Sequence, residues 1–180
     1  VSGQLALRHK LSPTLIAHAS VARGYKSGGL NLTGLSGRVE PQFKPEIADS
    51  FEFGLRSENA SRRYSVGATV YNTRVKNFQA LTFDEGTGLV PSPRQNNVLN
   101  IPEVRLQGAE LDLALQFPSR WPAAFGLAYN RAISTRFPNA PNEDSRRNDK
   151  DLSGKQLYNA PRWSGFASIE KRFRPLNGIE

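Results

Sequence analysis

Two glutamates and two histidines are the side chains of this sequence whose types could support acid–base or metal chemistry. Glu52 and Glu110 each lie two residues from a glycine in a stretch of alternating polar and apolar residues. A pair of carboxylates could act as general acid and base, or supply oxygen ligands to a metal. The two histidines, His9 and His18, belong to no His/Asp/Glu cluster with metal-ligand spacing. We therefore interpret the glutamates as structural charges and predict no metal site and no cofactor.

Nucleophile and phosphate-binding motifs give no stronger signal. The stretch GLSGR at 34–38 imitates a GxSxG nucleophile motif, but no positioned base accompanies it. The stretch SGG at 27–29 resembles a phosphate-binding loop only superficially, because no helix is predicted to follow it. The 180 residues include no Cys, which excludes disulfides and thiolate metal sites. We predict that the chain is not an enzyme and has no catalytic residues.

Net charge and chain length limit the class of protein. The net charge of +8 and the pI of about 10.1 would suit a nucleic-acid partner, but the Lys and Arg residues are scattered, so we predict no nucleic-acid binding. No window approaches eighteen consecutive apolar residues, and no signal peptide is visible. A chain that starts with VSGQLALRHK and has no Met is expected to be a piece of a longer protein.

The elements that position these side chains are predicted to be strands. In the stretch LIAHASVARGYK, residues Leu15, Ala17, Ala19 and Val21 share one parity, and His18 lies on the other. Such alternation is typical of a strand with one apolar and one polar face. Seven stretches have this two-residue period and no convincing helix is found: 2–11, 14–25, 48–57, 63–78, 104–117, 123–133 and 162–173.

The connections between these stretches alternate in length. Short turns at 12–13, 58–62 and 118–122 alternate with long segments at about 26–47, 79–103 and 134–161. Strands of ten to fourteen residues exceed the usual length, and all long loops fall at one end of the sheet. The mean hydropathy of −0.51 requires a very polar second face. The pattern fits a transmembrane β-barrel, although alternation alone leaves a soluble β-sandwich open.

Five motifs in order make the chain resemble the barrel domain of TonB-dependent outer-membrane receptors. They are ASVARGYKSGGLN (19–31), KPEIADSFEFGLRS (44–57), YSVGATVYNTRVKNFQ (64–79), VRLQGAELDL (104–113) and DLSGKQLYNAPRWSGFASIEKRF (151–173). The resemblance covers roughly residues 3–173, and His18 replaces the aromatic residue usual at the start of the first motif. It implies an all-β, antiparallel up-and-down barrel segment of about seven strands.

The resemblance also implies a function for the whole protein. Residues 1–180 would be part of a receptor β-barrel whose plug domain, energy-coupling TonB box and C-terminal aromatic strand are expected outside this chain. The protein would take up a scarce solute, most often a ferric siderophore, across the bacterial outer membrane. Its partners would be outer-membrane lipid, the small-molecule substrate and the TonB energy-coupling protein, the last through the plug. A soluble all-β ligand-binding or carbohydrate-binding module is the alternative.

The barrel interpretation makes specific residue predictions. We expect the convex, lipid-facing surface of the sheet to carry the apolar residues Phe51, Phe53, Leu55, Leu111, Leu113 and Leu115. We expect the concave surface to carry the polar residues Glu52, Arg56, Glu110 and Asp112. On that surface, Glu52 and Glu110 would pair with Arg56, Arg8 or the plug. Aromatic girdle residues at the membrane interfaces are expected to be Tyr25, Tyr64, Phe78, Phe117, Trp121, Tyr158 and Trp163. No motif marks the ligand-binding residues, but loop cations suited to an anionic chelate are Arg38, Lys44, Arg94, Arg146 and Arg147. We expect the isolated chain not to fold independently.

Overall fold

The computed structural model describes residues 1–32, 40–59, 61, 63–84, 95–117, 121–142 and 147–171. Within these ranges the chain forms strands and turns, and no helix suited to crossing a membrane is found. The strands are β1 (Gly3–Lys10), β2 (Leu15–Lys26), β3 (Gly29–Leu30), β4 (Gln42–Phe43), β5 (Glu46–Glu58), β6 (Tyr64–Asp84), β7 (Gln95–Gln116), β8 (Pro122–Arg136), β9 (Ala140–Asn142), β10 (Arg147–Lys150) and β11 (Trp163–Ile169).

Seven of the strands form one antiparallel sheet in the order β1-β2-β5-β6-β7-β8-β11. Neighbours in the sheet follow one another along the chain, apart from two small hairpins, β3–β4 and β9–β10, that lie within the long connections. The prediction of seven antiparallel strands in sequence order without a crossover is confirmed.

The central hairpin is longer than predicted. The sequence places the end of one strand at 78 and the start of the next at 104, whereas β6 and β7 pair as far as Asp84 and Gln95. Asn77 and Pro102 both lie within this extended pairing. They are opposite each other at a gap in the ladder, where Asn77 adopts a φ of 53°. Proline therefore removes no ladder hydrogen bond, and the strands continue past it.

Cross-strand pairing fixes which residues share a face, because directly opposed residues point to the same side of a sheet. Phe53 is opposite Ala19 and Val70, and Leu111 is opposite Ala68 and Leu127. On the other side, Glu52 is opposite Tyr71, Arg56 and Asp112 flank Gly67, and Thr69 separates Gly54 from Glu110. The predicted apolar and polar sets are confirmed as the two faces of this sheet.

The apolar face is the more exposed face of β5, β6 and β8. On β5, Phe51, Phe53 and Leu55 are 49%, 41% and 38% exposed, whereas Gly54 is buried and Glu52 is half-buried. A soluble sheet protein buries its apolar face against a core. The reverse arrangement indicates a sheet whose apolar face contacts lipid and whose polar face lines an interior.

A small apolar core lies at the long-loop end of the sheet. Val75, Ile101, Val104, Phe137 and Ala140 are buried together. Ile101 and Val104 are three residues apart, and they reach the same cluster because the ladder is irregular between Glu103 and Val104. Phe78 packs against this cluster. Its ring is half-buried, and its place in an aromatic girdle stays a prediction.

Candidate ligand-binding site

Large rings lie over glycines on the polar face. The imidazole of His18 lies over Gly54, and the ring of Tyr71 lies over Gly108. At the β8–β11 pair, the ring of Phe166 covers Gly126. Each ring occupies the space that a Cβ atom would need on the neighbouring strand. The glycines thus allow bulky side chains to lie flat along the inner wall of the sheet.

The two glutamates on the polar face lie on different strands and do not form a pair with each other. His18 Nε2 lies 3.3 Å from Glu52 Oε1, and Arg56 Nε donates to Glu58 Oε1 at 3.2 Å. The predicted partners of the two glutamates were Arg56, Arg8 or the plug; in the structure the histidine opposite Gly54 contacts Glu52, and Arg56 reaches along its own strand. Glu110 lies on β7, with β6 between it and Glu52. Among the described residues, no three His, Cys, Asp or Glu side chains are grouped closely enough to hold a metal ion.

Asparagine side chains fasten the first long loop to the central hairpin. Asn31, which is 8% exposed, donates from Nδ2 to the carbonyl oxygens of Glu40 and Val98, each at 2.9 Å. Its Oδ1 accepts the backbone N–H of Val98 at 2.9 Å. With these three hydrogen bonds, the buried amide of Asn31 connects the first long loop to the central hairpin. We call this side chain and its partners the Asn31 clamp.

A second set of amides holds the segment that leads into β5. Asn100 Oδ1 accepts the N–H of Lys44 at 2.6 Å, and Asn100 Nδ2 donates to the Lys44 carbonyl oxygen at 3.1 Å. Gln79 Nε2 donates to the carbonyl oxygens of Ser27 and Lys44 at 2.8 and 3.2 Å. Both sides of the loop base are thereby tied to β6 and β7. The extension of the central hairpin is the scaffold for the first loop.

The long connection between β8 and β11 folds back along β8. Ser134 Oγ donates to the Leu152 carbonyl oxygen, and Leu157 N–H donates to Ala132 O at 2.9 Å. This segment contains the LSGKQLYNAP motif, whose Gly154 has a φ of 76° and whose Asn159 has a φ of 55°. These left-handed positions explain the glycine and asparagine of the motif, since other residues adopt them at a cost.

An aspartate outside the membrane-spanning strands organises the turn of this segment. Asp151 Oδ1 accepts the N–H of Ser153 at 2.8 Å, and Ser153 Oγ accepts the N–H of Phe137 at 2.8 Å. Hydrogen bonds from the Ser153 side chain, and secondarily from its backbone, lower the pKa of Asp151 below its ordinary value. The ionised carboxylate is the form that holds this turn.

A cleft of about 380 Å³ lies between the bases of these loops. Its charged lining residues are one lysine, one arginine and one glutamate, and the lining also has two phenylalanines and several amides; the set includes Lys44, Arg136, Glu40, Phe43, Phe137, Asn77, Asn100 and Asn139. The two cations outnumber the one carboxylate and attract an anion, the half-buried ring of Phe43 offers apolar surface, and the amides donate hydrogen bonds. The cleft therefore has the chemistry to bind an anionic ligand that carries aromatic rings.

The structure brings one of the predicted loop cations to this cleft. Lys44 lies on its wall, whereas Arg38, Arg94 and Arg146 lie outside the described residues. Arg147 starts β10 on the neighbouring loop. Sequence reasoning missed Arg136, because alternation weakens after residue 133 and the strand was predicted to end there. Glu103 is its ladder partner across the irregularity.

The predicted girdle residues other than Phe78 lie at several places in the sheet and its turns. Tyr64 and Trp163 lie on the apolar face, where Tyr64 is opposite Leu115 and the Trp163 ring packs at a tilt against Tyr129, with 4.9 Å between ring centroids. Trp121 lies at a short turn with the Lys171 ammonium 4.7 Å above its ring. Tyr25, Phe117 and Tyr158 are exposed. For all of these, as for Phe78, the girdle assignment stays a prediction.

Comparison with known families agrees with this architecture. The profile of the family described as "TonB dependent receptor-like, beta-barrel" matches residues 1–177. The chain belongs to the TonB-dependent receptor family. Members of this family are receptors of the bacterial outer membrane. The prediction made from the five sequence motifs is confirmed.

Solved structures of TonB-dependent receptors show the same fold. The ferric yersiniabactin uptake receptor FyuA from Yersinia pestis superposes with a TM-score of 0.66 and 21% identity, over 93% of this chain and 22% of that one. The copper transporter OprC superposes with a TM-score of 0.59 and 21% identity, over 84% of this chain and 22% of that one. The ferric enterobactin receptor PfeA from Pseudomonas aeruginosa was solved as a mutant in complex with enterobactin. It superposes with a TM-score of 0.58 and 19% identity, over 93% of this chain and 25% of that one. The chain thus spans about a quarter or less of the length of these relatives.

Proposed function

We propose that the protein containing this chain is an outer-membrane receptor that takes up a ferric chelate with energy delivered by TonB. One observation carries the proposal: an in-order antiparallel sheet exposes its apolar face, and long loops are clamped at one end of it. Residues 1–180 would supply seven strands of a larger barrel. The plug that contacts TonB would belong to the remaining part of the protein.

The alternative of a soluble ligand-binding module is less consistent with the apolar face. Leu5, Leu7, Val21, Phe51 and Val70 are all at least 49% exposed on that face. Soluble monomers rarely leave an apolar patch of more than a few hundred Å² in contact with water. In a bilayer the same surface is solvated by acyl chains. Uptake rather than catalysis is also the activity supported by the absence of any recognisable catalytic motif in the sequence.

The cleft at the loop bases favours an organic ferric chelate as the solute. Lys44 and Arg136 supply more positive charge than Glu40 offsets, and Phe43 supplies ring surface. FyuA and PfeA are receptors for ferric yersiniabactin and ferric enterobactin. Copper uptake, the activity of OprC, is less favoured for this part of the barrel, because the chain has no Cys or Met to act as a soft ligand.

Uptake by the full-length receptor tests the proposal. A strain that lacks the gene would be complemented with wild type, with the Lys44→Gln/Arg136→Gln variant, or with Lys10→Gln/Arg56→Gln. The last pair removes the same two charges near the short-turn end of the sheet. Uptake of iron-55 as ferric enterobactin, of iron-55 as ferric yersiniabactin, and of copper would be measured with and without a protonophore.

We expect protonophore-sensitive uptake of at least one ferric chelate, with an affinity reduced about tenfold in the Lys44/Arg136 variant as two charge-assisted hydrogen bonds are lost. The Lys10/Arg56 variant should transport normally. Wild-type uptake that is insensitive to the protonophore, or uptake of copper alone, would refute the proposed function. Equal affinities of the two variants would exclude the cleft as the binding site.

A further inference from the structure

The cleft at the loop bases contains charges of both signs that do not neutralise each other. Glu40 lines the same cleft as Lys44 and Arg136, and all three side chains are exposed. Within the described part of the chain, no ion pair engages any of the three. Their charges are therefore available to charged groups of a ligand.

The backbone around Glu40 is fixed by Asn31. The side-chain Nδ2 of Asn31 donates to the Glu40 carbonyl oxygen at 2.9 Å, and the backbone N–H of Asn31 donates to the Pro41 carbonyl oxygen at 2.7 Å. Asn31 is itself buried and bound to Val98 of β7. Proline at position 41 limits the backbone further, because its ring fixes φ. The carboxylate of Glu40 therefore extends from a fixed point of the chain.

The backbone around Lys44 is fixed by the central hairpin. Asn100 accepts the N–H of Lys44 and donates to its carbonyl oxygen, and Gln79 Nε2 donates to the same oxygen at 3.2 Å. Between Glu40 and Lys44, β4 pairs with β3. Each residue from 40 to 44 is thus held by a hydrogen bond or by strand pairing. We call this segment the 40–44 strip.

The SGG stretch at 27–29 gives the 40–44 strip its close contact with the start of the loop. A Cβ atom at Gly28 would stand 2.4 Å from the carbonyl oxygen of Phe43, and one at Gly29 would stand 2.6 Å from the Phe43 ring. Side chains at these positions would displace the strip from its place. The stretch therefore positions one wall of the cleft, a role that its sequence alone did not indicate.

The charges on this wall are separated by a fixed length of chain. Glu40 and Lys44 are four residues apart, which allows at most about 13 Å between their Cα atoms. Arg136, at the end of β8, adds a second cation to the cleft. A ligand that is anionic throughout would be attracted by the cations and repelled by Glu40. A fixed charge of the opposing sign discriminates against ligands that lack a group to match it.

We propose that the cleft selects a zwitterionic ferric chelate, in which a protonated amine accompanies the anionic groups that hold the iron. Glu40 accepts a hydrogen bond from the ammonium group, and Lys44 and Arg136 bind the anionic part. Glu40 is then the specificity-determining residue, and Asn31 is the positioning residue that holds it. The inference rests on the proposed function, because it requires the cleft to hold the transported solute.

Two ferric tris-catecholate chelates that differ in a single group test this inference. One has a primary amine on its backbone, and the other has the same amine acetylated, so that its positive charge is absent. Dissociation constants are measured on the purified full-length receptor in detergent, by quenching of tryptophan fluorescence. The test variant is Glu40→Gln. The matched control is Glu58→Gln, which removes a carboxylate at the short-turn end of the sheet.

We expect wild type to bind the amine chelate about tenfold more tightly than the acetylated chelate, because one charge-assisted hydrogen bond is gained. Glu40→Gln should bind both chelates equally, whereas Glu58→Gln should keep the tenfold ratio. Lys44→Gln/Arg136→Gln should bind both more weakly with the ratio unchanged. Equal affinities in wild type, a ratio unchanged by Glu40→Gln, or binding of neither chelate would overturn the inference.

The ratio of the two affinities also separates selectivity from folding. Both chelates are titrated on the same sample, so a partly misfolded variant lowers the signal and leaves the ratio intact. Asn31→Ala keeps the charge of Glu40 but releases its backbone, and should therefore reduce the ratio. Asn31→Ala/Glu40→Gln should have the same ratio as Glu40→Gln. An equal loss of affinity for both chelates in Asn31→Ala would refute the positioning role.

Uptake of iron-55 from the two chelates separates this inference from the proposed function. Protonophore-sensitive uptake of both chelates without preference would refute selection by Glu40 and leave the proposed transport intact. Preferential binding of the amine chelate without protonophore-sensitive uptake would support the cleft and refute energy-dependent transport.

Discussion

The phenol ring of Tyr71 lies directly over Gly108 on the neighbouring strand, and its hydroxyl donates to Asn130 Oδ1 at 3.1 Å on the strand beyond. A Cβ atom at position 108 would stand 2.6 Å from the tyrosine oxygen and would overlap the carbonyl oxygen of Tyr129. One side chain thereby spans three strands of the inner wall. Its position depends on a hydrogen atom in place of a side chain at Gly108.

Substituting Gly108→Ala should destabilise the receptor by about 1–3 kcal/mol, the usual cost of overpacking a site whose neighbours cannot move freely. The clash is with backbone, so a rotamer change of Tyr71 alone cannot relieve it. Gly67→Ala is the matched control, because a Cβ there meets only Asp112 Cβ at 3.9 Å. Urea unfolding of the full-length receptor in lipid vesicles measures both. Equal stabilities of the two variants would contradict the close approach.

Removing the Asn31 clamp should loosen the first long loop without affecting the rest of the sheet. Asn31→Ala removes the hydrogen-bond partner that the side chain gives to the N–H of Val98 and to the carbonyl oxygens of Glu40 and Val98, at a cost of about 1–3 kcal/mol. Hydrogen exchange of the Val98 amide should accelerate accordingly.

Asn59→Ala provides the comparison at the short-turn end. Asn59 Oδ1 accepts the N–H groups of Arg63 and Tyr64 at 2.6 and 3.2 Å. Its removal should accelerate exchange in that turn and leave Val98 protected. Val98 protection that is unchanged in Asn31→Ala would show that the loop is held by other contacts.

A positive charge should be tolerated on one face of β7 and β8 but not on the other. Leu111→Lys places a charge in the middle of the apolar band, which costs about 2–4 kcal/mol when that band faces lipid. Ala128→Lys adds the same charge on the polar face opposite Glu110, where an acidic partner is present. The folded fraction in vesicles, measured by heat modifiability, should fall only for Leu111→Lys. A similar loss for both variants would indicate that neither face contacts lipid.

The turn around Asp151 should weaken in acid. A carboxyl whose pKa is lower in the folded state contributes stability above its unfolded pKa of about 4, and the contribution is lost as the pH falls through the lower folded value. Exchange of the Ser153 amide, corrected for intrinsic rate, should therefore rise below about pH 4. Asp151→Asn should remove this pH dependence. A pH-independent wild type would contradict the role of the carboxylate.

The faces of the sheet were determined by the sequence, because the two-residue period of a strand requires no tertiary information. Phe51, Phe53 and Leu55 alternate with Glu52 and Arg56, and the ladder pairs them as the alternation requires. Topology followed from the lengths of the connections, since a short turn can join only antiparallel neighbours. Family membership followed from five motifs in order.

Contacts between distant segments were decided only by the tertiary structure. Asn31 binds Val98 across 67 positions, and Lys44 meets Arg136 at one cleft, although neither pair has a period or a motif that joins it. The extension of β6 and β7 past Asn77 and Pro102 was likewise hidden. The left-handed Asn77 and the proline opposite it leave a gap in the ladder that the sheet tolerates, and this match depends on how the two strands pair. Arg74 and Arg105 became neighbours through register, a property of two strands together and of neither sequence alone.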